Sequence, residues 1–375
     1  MSIGQVGLVV LALAVTVTGC GDNDQRSSST PASASPAARV SASAGTTAAA
    51  TRFLTRYVTS DGRVIRHDQG SDIVSEGQAY AMLLAELVER PTLVRTIWSW
   101  TRAHLGRSDG LFAWHATASG RVDDPQPGTD ADVLIAYALL RYRGTDQTAL
   151  NSAGRRVAEA VLTNESVTLP DGSPLLVAGP WAKSTSSPIV DPSHLMPGVF
   201  VAIARLTGDR RWERAASAAI AAVAEVTDSG RRLPPDWARL SDARLIPIAA
   251  PGESVPVQYS FAAARLPIWF ASACSPAAHS VAASWWRNIL GSNGRSGPLA
   301  LDLNGATINA ADSPLMLIAG AAAATADGDM RAAHDLRTQA DELALRSPTY
   351  YGDAWAALGA ALLDRSIAPC DETNP

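Results

Sequence analysis

The chain has 375 residues, 47% hydrophobic and 18% charged, with a net charge of −5. That length supports a large core in one big domain or two ordinary ones, and the mild acidity excludes the basic footprint of a nucleic-acid binder. Ala dominates the apolar set, which favours close-packed helices, and Trp outnumbers Phe ten to five.

Residues 1–20 read as a leader rather than part of the fold. The run VGLVVLALAVTV has signal-peptide length and is too short to span a bilayer. It ends in VTGC, Val17 to Cys20, which resembles a bacterial lipoprotein box with Cys20 as the lipidated residue. The alternative is an uncleaved membrane anchor, since no Lys or Arg precedes the run. Either reading exports the rest, to the cell surface or beyond it. Residues 21–51, rich in Ser, Ala, Thr and Pro, read as a flexible tether.

The body spans 52–370, followed by a tail at 371–375, and reads as helix after helix. Apolar residues recur at helical spacing in 79–89, 92–105, 132–142, 152–162, 195–206, 211–226, 260–273, 279–290, 314–325, 331–345 and 351–364. No run of alternating strand residues stands out. Ser75 with Gln78 and Thr129 with Asp132 have capping-box spacing, and Asp191-Pro192 and Ser313-Pro314 place a cap before a Pro. Ser260 is a further candidate cap. The helix starts near 75, 129, 191, 260, 313 and 352 are spaced for helical hairpins, six in all. This predicts an all-α toroid, (α/α)6, with six parallel inner helices whose N-termini gather at one mouth. Glu76, Asp130, Asp132, Asp191 and Asp312 lie at or beside predicted inner-helix starts, so the ring would bring these acids together. Each alone is explained by the helix dipole, worth about 0.3–1 kcal/mol.

The segments VSEGQAYAMLLAEL (74–87), IWSWTRAHL (97–105), DGLFAWHATASGRV (109–122) and GTDADVLIAYALL (128–140) resemble, in order and spacing, glycoside hydrolase family 8, whose fold is an (α/α)6 toroid. Weaker matches at 191–212, 233–240, 261–271 and 349–363 extend the resemblance over nearly the whole body. The resemblance implies an endo-acting glycanase that hydrolyses β-1,4-linked polysaccharide with inversion. One carboxyl protonates the leaving oxygen and another activates water, about 6.5–9.5 Å away. Matching S-E-G-Q implies Glu76 as the acid, with a pKa raised toward neutrality. Matching T-D-A-D implies Asp130 at the sugar being cleaved, and Asp132 behind it or as a cap. Trp114 falls at a position that stacks on a glucosyl ring, as a flat apolar indole can. Tyr80, one turn after Glu76, would orient the acid or line the groove. Trp98, Trp100, Trp212, Trp285 and Trp286 read as core.

In the cellulase branch the base is an Asp in a motif like Y-D-A-x-R. Here the stretch is FAAAR, with Arg265 in place and Ala262 where the Asp belongs. Candidate stand-ins are Asp191, Asp236 and Glu253. Two functions follow: an active inverting β-1,4-glycanase, or an impaired relative that binds glucan. An α/α-toroid epimerase or lyase is a third reading, disfavoured because the six His are scattered. No metal or phosphate-loop motif occurs, so no cofactor is expected. The expected partner is a β-linked polysaccharide, with membrane contact only through the lipid, no nucleic acid, and a monomeric state. Cys274 and Cys370 remain as an even pair in an exported chain and are expected to form a disulfide.

Overall fold

The computed structural model describes residues 41–183, 186–292 and 297–367. Helices that are apolar on every side belong in an interior, and helices with one apolar stripe belong around it. The chain alternates the two kinds. Six helices present one face to the core: α1 (Ala44–Tyr57), α3 (Pro91–His104), α5 (Gln147–Asn164), α8 (Arg211–Val226), α10 (Pro276–Trp285) and α12 (Met330–Arg346). The other six are buried along nearly their whole length: α2 (Ser75–Leu87), α4 (Thr129–Arg141), α7 (Pro197–Thr207), α9 (Arg265–Ala271), α11 (Pro314–Asp327) and α13 (Tyr350–Leu363). A one-turn helix, α6 (Pro180–Lys183), lies in a loop. Each inner helix touches the next, and α13 touches α2, so the inner layer closes. The result is the (α/α)6 toroid.

The outer helix α1 corrects the expected boundary. It begins at Ala44, inside the stretch read as tether, with Ser43 as its cap. Its first turns are Gly, Thr and Ala, which carry little hydrophobic contrast, so periodicity missed it. Four small antiparallel sheets also went unread. One is β1 (Ile73–Val74), β2 (His115–Ala116) and β3 (Val122–Asp124). Two are hairpins, β4 (Ser166–Thr168) with β5 (Pro174–Leu176) and β9 (Pro298–Leu301) with β10 (Thr307–Asp312). The last is β6 (Ile189–Val190), β7 (Trp237–Ser241) and β8 (Arg244–Ile248). Strands of two to six residues are too short to display alternation.

The expected capping boxes do not form. Ser75 and Thr129 are the first helical residues of α2 and α4, whose caps, Val74 and Gly128, make no side-chain bond. Ser313 is likewise not bonded as a cap. Asp191 does cap, accepting from Ser193 N, but the element is a 3-10 turn at Pro192–His194, and α7 starts only at Pro197. Ser260 bonds Asp236 instead, and α9 starts at Arg265. Cys274 is disulfide-bonded. Its expected partner Cys370, the lipidation residue Cys20, the leader, the tail at 371–375 and the tether up to residue 40 lie outside the described residues.

Candidate active site

The S-E-G-Q tetrapeptide is explained residue by residue. Ser75 N donates to the carbonyl of Trp114 at 2.9 Å, joining the start of α2 to the loop before β2. Gly77 is needed because the Tyr350 hydroxyl sits 2.5 Å from where a Cβ would be. Gln78 is a buried brace. Its Oε1 accepts from Val64 N at 2.7 Å, and its Nε2 donates to Gly62 O and Thr101 Oγ1 at 3.0 and 2.8 Å. Glu76 is the member of the four left to face a cavity of about 410 Å³.

T-D-A-D divides its labour similarly. Thr129 Oγ1 donates to Val177 O at 2.7 Å. Asp130 faces the cavity. Asp132, two residues on, turns into the protein, where its Oδ1 accepts from Phe112 N at 3.0 Å. Thus Asp132 sits behind the site and anchors the loop that carries Trp114.

Glu76, Trp114, Asp130, Asp191 and Arg265, brought from five separate segments, line the one cavity. The indole Nε1 of Trp114 donates to Glu76 Oε1 at 3.1 Å. Arg265 donates to Asp130 Oδ2, and its other terminal nitrogen lies 3.4 Å from Asp191 Oδ2. The residues that sequence reasoning missed are His194, Trp181, Trp237, Asp124 and Gln126, which also line the cavity. His194 Nε2 lies between Asp130 Oδ1 at 3.5 Å and Asp191 Oδ2 at 3.4 Å. Trp181 and Trp237 could have been found: both are indoles in or beside loops, the criterion that selected Trp114. Their rings are 6.4 Å apart at 52°. Nothing in the sequence marked His194 apart from its place in the DPSH turn.

Besides Asp132, which is turned into the protein, four expected site residues do not line this cavity. Tyr80 points into the ring, where it packs edge-on against Trp355 with ring centroids 5.6 Å apart, because the residue one turn into an inner helix has already left the mouth. Asp236 is committed to the backbone. Its Oδ1 accepts from Ser260 N and Ala263 N at 2.8 and 2.9 Å, and Ser260 Oγ donates to Oδ2. Glu253 is exposed and, with Asp236, Trp237 and Ala262, lines a second cavity of about 290 Å³. Asp312 is exposed at the end of β10. Four of the five Trp read as core are buried, and Trp286 is partly so.

The electrostatics separate the acids. Burial and then the charge of Asp130 push the Glu76 carboxyl up to about 7, against the pull of Trp114 and Arg265. Burial would also raise Asp130, but the charges of His194 and Arg265 and the Arg265 hydrogen bond outweigh it and hold Asp130 below the usual carboxylate range. Asp132 is pushed well up by burial and by the charge of Glu165. One cavity therefore holds a carboxyl that keeps its proton near neutrality beside one that does not, the arrangement general acid catalysis uses. Three indoles offer flat apolar surfaces to a ligand with apolar faces. Among the described residues there is no metal-holding group of His, Cys, Asp and Glu.

The comparisons with known proteins point the same way. An endoglucanase of Cellulomonas uda is 28% identical over 223 residues, 58% of this chain and 61% of its own length. A probable endoglucanase of Novacetimonas hansenii is 29% identical over 234 residues, 58% of this chain and 64% of its own. The matches thus span about three fifths of these curated relatives. The structure of the endo-β-1,4-glucanase CMCax from Acetobacter xylinum superposes with a TM-score of 0.69 at 24% identity, covering 86% of this chain and 98% of that one, which supports the fold. Residues 26–362 match the glycosyl hydrolases family 8 pattern, and the chain belongs to that family.

Proposed function

We propose that this protein hydrolyses β-1,4-linked glucan with inversion, with Glu76 donating its proton to the leaving glycosidic oxygen. The observation that carries the reading is the Glu76 carboxyl, raised to about 7 and facing the cavity that Trp114 and Asp130 share. Asp130, ionised and held by Arg265, would accept hydrogen bonds from the sugar at the cleavage point. The indoles of Trp114, Trp181 and Trp237 would carry neighbouring sugars. The relatives named endoglucanases support glucan as the substrate and cleavage within the chain. The chemistry needs no cofactor.

Of the three acids considered for the base, Asp191 lines the cavity. Its Oδ1 accepts from Ser193 N and Oγ, and Arg265 and His194 lie beside Oδ2. Both oxygens of Asp191 are thus engaged, so a water that attacked from its side would have to displace one of these partners. Ala262 favours a second reading, a glucan-binding protein that has lost turnover. Release of reducing ends from carboxymethyl cellulose and mixed-linkage glucan, wild type against Glu76→Gln, separates the two. NMR of the first-formed anomer tests inversion. Export with a lipid at Cys20 belongs to the same proposal and is tested by mass spectrometry of the mature N-terminus. A monomer is expected by light scattering.

A further inference from the structure

The small sheet beside Glu76 contains a side-chain cluster outside the cavity. His115, on β2, places Nε2 2.7 Å from Asp72 Oδ2 and Nδ1 2.5 Å from Asp123 Oδ1. Asp72 lies immediately before β1 and is also held by Arg66, whose Nε and terminal nitrogen donate to it at 2.7 and 2.6 Å. Asp123 is on β3. One imidazole therefore joins the two outer strands of the sheet through its middle strand.

The position of this cluster gives it consequence. Four residues after Asp72 comes Glu76, and the residue before His115 is Trp114, whose indole bonds Glu76. Trp114 is held through its backbone from both sides: its carbonyl accepts from Ser75 N at 2.9 Å, and its N–H donates to Gln126 O at 2.8 Å. The supports of Trp114 thus directly follow the two strands that His115 joins, Ser75 after β1 and Gln126 two residues after β3. We propose that His115 is a positioning residue: as an imidazolium it laces Asp72 to Asp123 and so holds Trp114 on Glu76 and against the sugar. This rests on the proposed role of Glu76 and Trp114.

Only the cation can do this. A neutral imidazole has one N–H, so it can donate to one carboxylate and must turn a lone pair toward the other. Burial works against the charge on His115, but the hydrogen bonds to Asp72 and Asp123 outweigh it and raise its pKa. The charged groups around it are Asp72 backed by Arg66, and Asp123 with Arg121 nearby. Glu76 acts through Trp114. As pH rises through the titration of His115, one strand is released and Trp114 loses a support.

Hydrolysis alone cannot test this, because Glu76 also loses its proton as pH rises. The Glu76→Gln protein removes that titration while its amide oxygen can still accept from Trp114. In that background, cellopentaose affinity by calorimetry is expected to weaken about tenfold between pH 5 and pH 9. Adding His115→Gln should give weak binding at every pH, and adding His115→Arg, a permanent cation, strong binding at every pH. Asp123→Ala, which removes the exposed partner and leaves nothing to replace it, should mimic His115→Gln. Hydrogen exchange of residues 113–124 without ligand, corrected for intrinsic rates, should show protection lost as pH rises in the His115 protein and kept in the Arg variant. A flat Glu76→Gln binding curve, a His115→Gln curve that still falls, an Arg variant no better than Gln, or exchange independent of His115 overturns the proposal. Failure of the hydrolase reading would appear elsewhere, as reducing-end release by Glu76→Gln equal to wild type.

Discussion

Arg265 and Asp130, 135 residues apart in sequence, meet at the mouth of the ring, where the guanidinium donates to the carboxylate. Both are almost fully buried, and Asp191 shares the same cation. Arg265→Met would take the guanidinium from two buried carboxylates and leave them His194 and the hydrogen bonds from Ala131 and Ser193. We expect a loss of about 3–5 kcal/mol in urea unfolding at pH 7. The sign with pH follows from Asp130, whose folded pKa lies below its ordinary 3.8. Its contribution is present above that value and fades as pH falls through the lower folded one, so the deficit should narrow near pH 2. An unchanged midpoint at pH 7 would sink the account.

Asp130 and Asp132 are expected to respond oppositely to the same substitution. Asp130→Asn removes the charge that Arg265 and His194 pair with and should reduce hydrolysis by about 10²-fold or more. Asp132 is raised well above its ordinary value by burial, so an Asn there, keeping an oxygen for Phe112 N, changes little charge. Its activity should stay within about threefold of wild type and its stability within about 1 kcal/mol. Equal losses at the two positions would refute the assignment.

Glu76→Gln should abolish reducing-end release while leaving cello-oligosaccharide binding. In the wild type, kcat/KM should fall as pH rises through about 7, because the acid must be protonated. The same group affects folding. Its folded pKa exceeds its unfolded one, so stability is full below about 4.5 and declines as pH rises toward 7. Glu76→Gln should therefore raise the melting temperature at pH 8 and leave it nearly unchanged at pH 4. A variant no more stable at pH 8 would argue against a buried, raised carboxyl.

Ala262 is the position to restore. Ala262→Asp should raise turnover by about 10²–10⁴-fold if general base catalysis is what the chain lacks. No gain beside substantial wild-type activity would place the base elsewhere, and Asp191→Asn would then be the next measurement.

The ring was legible because helix starts recur at intervals that each hold one helical hairpin, six times over. Glu76, Asp130 and Trp114 were legible because their motifs carry them. What failed did so for physical reasons. Ser75 and Thr129 looked like caps because capping and a first helical turn use the same residue types; the difference is which backbone groups they meet. Tyr80 was misplaced because a helical spacing fixes a face but not depth below the mouth. His194 was missed because its partners come from α4 and from Asp191, and its role exists only once the ring has closed. Helix α1 was missed because its alanines gave no stripe to detect.

Helix α1 lies against α13 and is fastened to it at both ends. Thr46 Oγ1 donates to Asp364 Oδ2 at 2.5 Å, while Arg56 and the Tyr57 hydroxyl reach Asp353 at 2.5 and 2.9 Å. The two helices are therefore antiparallel. Since α13 starts at the mouth, Ala44 and Leu363 lie together on the opposite face. The polypeptide enters and leaves the ring from behind, as a handle does.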